Sequence, residues 1–150
     1  MMILLTVLNW FQTRKAFVDK HVGTTEDPEE IEDKKQVAIE FWNGIDANDH
    51  WMLIAMIVIT ALFCYLYFIP YNNRPGRHYK PSHWFGFYVF AVIATLLSTF
   101  GMCCQFVNYS YDEGFVWTVS LINSALVIFF YFLISIWFWK KSSSNAYPII

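Results

Sequence analysis

The sequence predicts an all-α membrane protein: three transmembrane helices, an amphipathic helix at the N-terminus and a short extramembrane helix before the first span. Two observations carry this reading. Residues 51–70, 84–106 and 115–139 are apolar runs without a single Asp, Glu, Lys, Arg or His. Each reaches the roughly 20 residues that a helix needs to cross a hydrocarbon core about 30 Å thick. Trp51, Trp84, Trp117, Trp137 and Trp139, with Tyr65, Tyr67 and Tyr79, gather at the ends of these runs, where amphipathic rings favour the headgroup level. With 150 residues, 57% of them hydrophobic, the chain has room for one membrane domain and a short exposed segment, not for a second ordinary globular domain.

Residues 1–21 form the first element. Leu4, Val7, Leu8, Phe11 and Val18 fall at helical spacing, with Thr6, Asn9, Thr13 and Lys20 on the other side. That pattern suits a helix lying in the interface or docked on the spans; a short re-entrant segment is the alternative. No basic stretch precedes the apolar residues and no small-residue cleavage site follows, so the segment does not read as a cleavable signal.

Residues 22–50 are the acidic extramembrane segment, with a helix over 28–43. Asp27 can cap it, Pro28 suits its first turn, and Glu30 stands three residues after the cap. Glu30 and Lys34 are spaced for an i,i+4 ion pair. Ile31, Ala38, Phe41 and Trp42 supply a narrow apolar stripe, and Gly44 is a natural stop. Phe41 and Trp42 are the candidate partner contacts, resting on headgroups, on the N-terminal helix or on a neighbouring subunit. Asp49 is expected to cap the first span and Asp46 to lie in the turn before it.

The three-span domain covers 51–139. Pro70 closes the first span, and Pro75, Gly76 and Pro81 turn the chain before the second. The short connection 107–114 makes the second and third spans antiparallel neighbours. The first span is the least polar and reads as lipid-facing, or as packing on another apolar protein. In lipid there is little hydrophobic drive between helices, so small and weakly polar residues mark contacts. The second span offers Ala91, Ala94, Thr95, Ser98, Thr99 and Gly101, with Ala91/Thr95 and Ala94/Ser98 as small-xxx-small pairs. The third carries Ser120, Asn123, Ser124, Tyr131 and Ser135 in nearly one stripe. Asn123 is the side-chain amide deepest in any span and must find a partner. The helix-packing candidates are therefore Ala91, Ala94, Thr95, Ser98, Gly101, Ser120, Asn123 and Ser124. Asn123, Ser124 and Tyr131 line the pore in the alternative reading. Residues 129–133 and Ile136 read as lipid-facing or packed on large neighbours.

Orientation follows from the basic residues near the membrane ends. Arg74, Arg77 and Lys80 in the first loop, and Lys140 and Lys141 opening the tail 140–150, share one side. Asp112, Glu113, Glu40, Asp46 and Asp49 lie on the other. This places the tail in the cytoplasm and the N-terminal region outside, in a cell (inner or plasma) membrane. Arg74, Arg77 and Lys80, flanked by His78 and His83, are candidates to meet lipid headgroups.

No phosphate loop, HExxH, paired-cysteine motif or nucleophile elbow occurs. Asp46, Asp49 and His50 match no metal-binding loop, and Cys64, Cys103 and Cys104 read as small packing residues. The expectation is a protein with no catalytic role and no cofactor. A net charge of −2 gives no reason to expect nucleic acid. The partners are the bilayer and either further copies or other membrane proteins. Two functions fit: a non-catalytic integral membrane subunit that anchors or scaffolds a multi-subunit complex by helix packing, or a homo-oligomeric, pore-forming, holin-like protein.

Overall fold

The computed structural model describes residues 13–23, 28–72 and 81–139. Among them there is no strand. Four helices carry the fold: α1 (Arg14–Val22), α2 (Pro28–Leu66), α3 (Pro81–Phe106) and α4 (Glu113–Trp139). α2, α3 and α4 are each long and apolar enough to cross a membrane, which makes the chain a multi-pass membrane protein. The three long helices pack on one another, and α1 packs on α2.

α2 departs most from the sequence reading. The helix expected to stop at Gly44 runs on without a break for 39 residues, about 58 Å at 1.5 Å per residue. That is roughly twice the hydrocarbon thickness, so its outer half stands outside the spans as a stalk. Gly44 has another role. A Cβ there would lie 2.6 Å from Val107 Cγ1 and 3.3 Å from the Phe106 carbonyl oxygen, so the glycine admits the α3–α4 connection against the stalk. Asp49 consequently caps nothing, because the helix does not begin there. The expected Glu30–Lys34 pair forms at 2.7 Å.

α2 ends as its chemistry demands. A proline ring clashes with the carbonyl four residues back, and regular α-helix stops at Leu66, four before Pro70. A wider π-helical turn, Tyr67–Tyr71, takes over, with the Asn72 amide donating to the Tyr67 carbonyl at 3.1 Å. The first span is also less lipid-facing than its composition implied: Met52, Met56, Thr60 and Cys64 form a buried face against the other two spans.

Outside the spans lies a small aromatic cap. Phe17 of α1 packs on Phe41 and Trp42 of the stalk and on Phe115 of α4, at ring-centroid distances of 5.7, 5.5 and 4.8 Å. Thr13 caps α1 by accepting from the Ala16 amide, and Gly23 ends it at φ 62°, a left-handed conformation natural to glycine. The apolar positions Leu4, Val7, Leu8 and Phe11 of the expected amphipathic helix lie outside the described residues, as do Asp27, Arg74, Arg77, Lys80 and the tail.

Candidate functional site

The polar side chains of the spans converge on the axis of the bundle. α2 and α4 run parallel in a register set by two contacts, both between residues 71 apart: Asn123 Nδ2 donates to the Met52 carbonyl at 3.3 Å, and Cys64 Sγ meets Ser135 Oγ at 3.6 Å. α3 runs antiparallel to both. Its Cys103 Sγ lies 3.9 Å from Met52 Sδ, and its Trp84 Nε1 donates to Ser135 Oγ at 3.3 Å.

Asn123 ties the three spans together at one level. Besides Met52, its Nδ2 donates to Thr99 Oγ1 at 2.7 Å. The amide is fully buried, yet Oδ1 has no hydrogen-bond partner among the described residues. One turn along α3, Thr95 is 1% exposed and its Oγ1 is also unpartnered. Thr60, level with Tyr131 in the α2–α4 register, returns its hydroxyl to the Met56 carbonyl at 2.6 Å. The Tyr131 ring sits between Trp84 and Tyr88, at 5.2 and 5.6 Å, with its hydroxyl buried and unpartnered. Ser120 and Ser124 bond back to carbonyls of their own helix, Val116 and Leu121.

The two ends of this axis carry titratable groups. Asp49 is fully buried and neither carboxylate oxygen has a partner among the described residues. The register that joins Met52 to Asn123 puts it level with Ser120. Burial, reinforced by Asp46, pushes its carboxyl above the usual range; His50 pulls the other way by charge and through its backbone amide, which does not reach hydrogen-bond geometry. At the far end the Tyr71 hydroxyl lies 3.1 Å from His83 Nδ1, beside buried Asn72, whose Nδ2 is unpartnered. His83, expected among the lipid phosphates, turns to this tyrosine instead.

The residues singled out in the sequence fall into four groups. Ala91 and Thr95, with Thr99 and Cys103, form the inward face of α3. Ala94 and Ser98 are half-buried to one side of it, and Gly101 is exposed, with open space where a Cβ would stand. A helix turns about 100° per residue, so 94 and 101 stand about 60–80° to one side of 91, and 98 lies at the edge of the 91/95/99 face. Ser120, Asn123, Ser124 and Tyr131 are all buried against the chain's own helices, so the expected pore-lining residues Asn123, Ser124 and Tyr131 do not offer a lumen shared by a ring of copies. Phe41 and Trp42 are each 5% exposed and closed under Phe17 and Phe115 of the same chain, so of the three expected supports (headgroups, the N-terminal helix, a neighbouring subunit) it is the N-terminal region that they meet.

Three features had no clear sequence signal. One is the burial of Asp49. Another is the link from α1 to α4, where Asp112 accepts from the Phe115 amide at 2.9 Å as the cap of α4. The same carboxylate meets His21 Nε2 at 3.0 Å and Lys20 Nζ at 3.7 Å. His21 Nδ1 faces the Phe17 carbonyl at 2.9 Å, so both ring nitrogens face acceptor oxygens. Burial, with Asp112 nearby, raises the Tyr111 phenol. The third is a half-open cavity of about 250 Å³ lined by Val37, Glu40, Phe106, Val107 and Tyr111, which follows from the Gly44–Val107 approach. Among the described residues no group of three or more His, Cys, Asp or Glu could hold a metal ion. Comparisons with protein-family models, with curated proteins and with solved structures find no match to this chain.

Proposed function

We propose that the chain is a non-catalytic subunit of a membrane-embedded complex, anchored by its three spans and holding its stalk toward a partner. The single observation behind this reading is the unbroken helix Pro28–Leu66. Its outer half cannot swing freely, because the α3–α4 connection abuts Gly44 and α1 is packed on the stalk. A fixed mast of this kind serves to position a binding surface at a set height. The outward side of the stalk is acidic, with Glu29, Glu32, Asp33, Glu40 and Asp46 all exposed, and fits a partner with a basic surface. The partner surface is thus the acidic side rather than Phe41 and Trp42. Within the bilayer, Ala94, Ser98 and Gly101 give a flank that another helix can approach closely. The acidic end faces outside and the tail lies in the cytoplasm, by the charge bias of the flanking segments.

A photo-crosslinker placed at Glu32 or Glu40 in native membranes tests this. The expected result is a discrete protein adduct, and an assembly larger than one chain after extraction in mild detergent. Extraction as a single chain, with no adduct from either stalk position, overturns it.

A further inference from the structure

We propose that the axis of the bundle is a proton-conducting column that runs from Asp49 at one membrane face to the Tyr71–His83 pair at the other. Polar atoms buried in protein are almost always partnered, and where side chains supply no partner a water does so if two or more polar groups surround it. Here the Asp49 carboxylate, Asn123 Oδ1, Thr95 Oγ1, the Tyr131 hydroxyl and Asn72 Nδ2 are buried and unpartnered among the described residues. Orphans scattered through a bundle would have no common direction; these share one axis.

The helix register orders them. Asp49 stands level with Ser120, and Asn123 with Thr99 and Met52. Thr95 lies one turn beyond Thr99 and Tyr131 two turns beyond Asn123; Ser135 follows with Cys64 and Trp84. Successive turns are about 5.4 Å apart, the span a single water bridges with two hydrogen bonds of roughly 2.8 Å. Met56 and Val127, both fully buried, stand at the level of Thr95 and surround its hydroxyl with apolar side chains.

The chemistry suits a proton and not a larger ion. The path is made of hydroxyls and amides packed between helices, with no formal charge inside the spans to replace a metal ion's hydration shell. A proton from water forms the Asp49 carboxyl O–H bond, which breaks as the proton passes to a water beside Ser120. Each further hop makes one O–H bond as another breaks, until the His83 imidazole or bulk water accepts the proton. No electron moves. The raised proton affinity of Asp49 favours capture at the entrance, where Asp46 adds to it and His50 opposes it.

This activity does not depend on the anchoring role, because it is read on the purified full chain alone. Reconstituted in liposomes with an entrapped pH dye, a potassium gradient and valinomycin for charge balance, the protein is expected to move protons at least tenfold faster than empty liposomes. Asp49→Asn and Tyr131→Phe should each lower the rate at least tenfold, and exposed Asp46→Asn should not. Tyr131→Phe removes one unpartnered oxygen at nearly constant volume, so it decides the matter if Asp49→Asn fails to fold. A wild-type rate equal to that of empty liposomes overturns the proposal. So does a wild-type rate in correctly folded Tyr131→Phe, or co-passage of a small entrapped dye, which indicates a wide pore.

Discussion

In the cap, Phe17, Phe41, Trp42 and Phe115 fill the interior while Glu29, Glu32, Asp33, Glu40 and Asp46 of the stalk face outward. In the spans the arrangement is turned over. Thr60, Thr95, Thr99, Ser120, Asn123 and Ser135 are buried, while Phe90, Leu97, Ile128 and Phe129 are 62, 63, 59 and 60% exposed. The same helices, α2 and α4, contribute to both regions, so the inversion belongs to the solvent and not to the element. Outside the bilayer, water drives rings together. Inside it, lipid welcomes rings and gives polar atoms nothing, so hydroxyls and amides retreat to the axis.

The sharpest way to break this comparison is one substitution made twice. Phe17→Ala should cost about 3–5 kcal/mol of cap stability, the usual range for a buried phenylalanine, read as faster amide exchange in α1. Phe90→Ala, on the lipid side, should change stability by no more than about 0.5 kcal/mol, read as an unshifted unfolding midpoint in detergent. Equal costs at the two positions would mean that the inversion has no energetic content.

The junction between the regions gives a smaller effect with an informative sign. Ala at an ordinary helix glycine stabilises by up to about 1 kcal/mol, but overpacking against Val107 costs about 1–3 kcal/mol. Gly44→Ala should therefore destabilise by about 1 kcal/mol. In a Val107→Ala background the clash is relieved and the same change should stabilise. A double-mutant cycle by thermal unfolding checks this, and stabilisation by Gly44→Ala in both backgrounds would refute the close approach.

The smallest effect tests the orphaned carboxylate. The folded-state pKa of Asp49 is raised above its value of 3.8 in the open chain, so the folded state holds the proton more tightly. Its contribution is fully present below the open-chain value and is lost as pH rises through the raised one. The wild-type melting temperature in detergent should fall by a few degrees from this cause across that window, and Asp49→Asn should remove that part of the fall. An unchanged slope would mean that Asp49 is solvated in the folded protein.

What the sequence determined by itself is where the membrane lies. The three spans, the stripe through Ser120, Asn123 and Tyr131, the Glu30–Lys34 pair and the end of α2 before Pro70 are legible because each depends on composition or on neighbours a few residues away. Tertiary structure alone decided what those features face. Gly44 reads as a stop until Val107 is found against it, Asp49 reads as a cap until the helix is seen to pass through it, and Asp112 reads as a loop acid until His21 reaches it. Phe41 and Trp42 read as resting on headgroups, on the N-terminal helix or on another subunit until α1 is found to cover them. The reason is physical: periodicity tells which residues share a face, but the register of 71 residues between α2 and α4, which sets every contact along the axis, arises only when the helices pack.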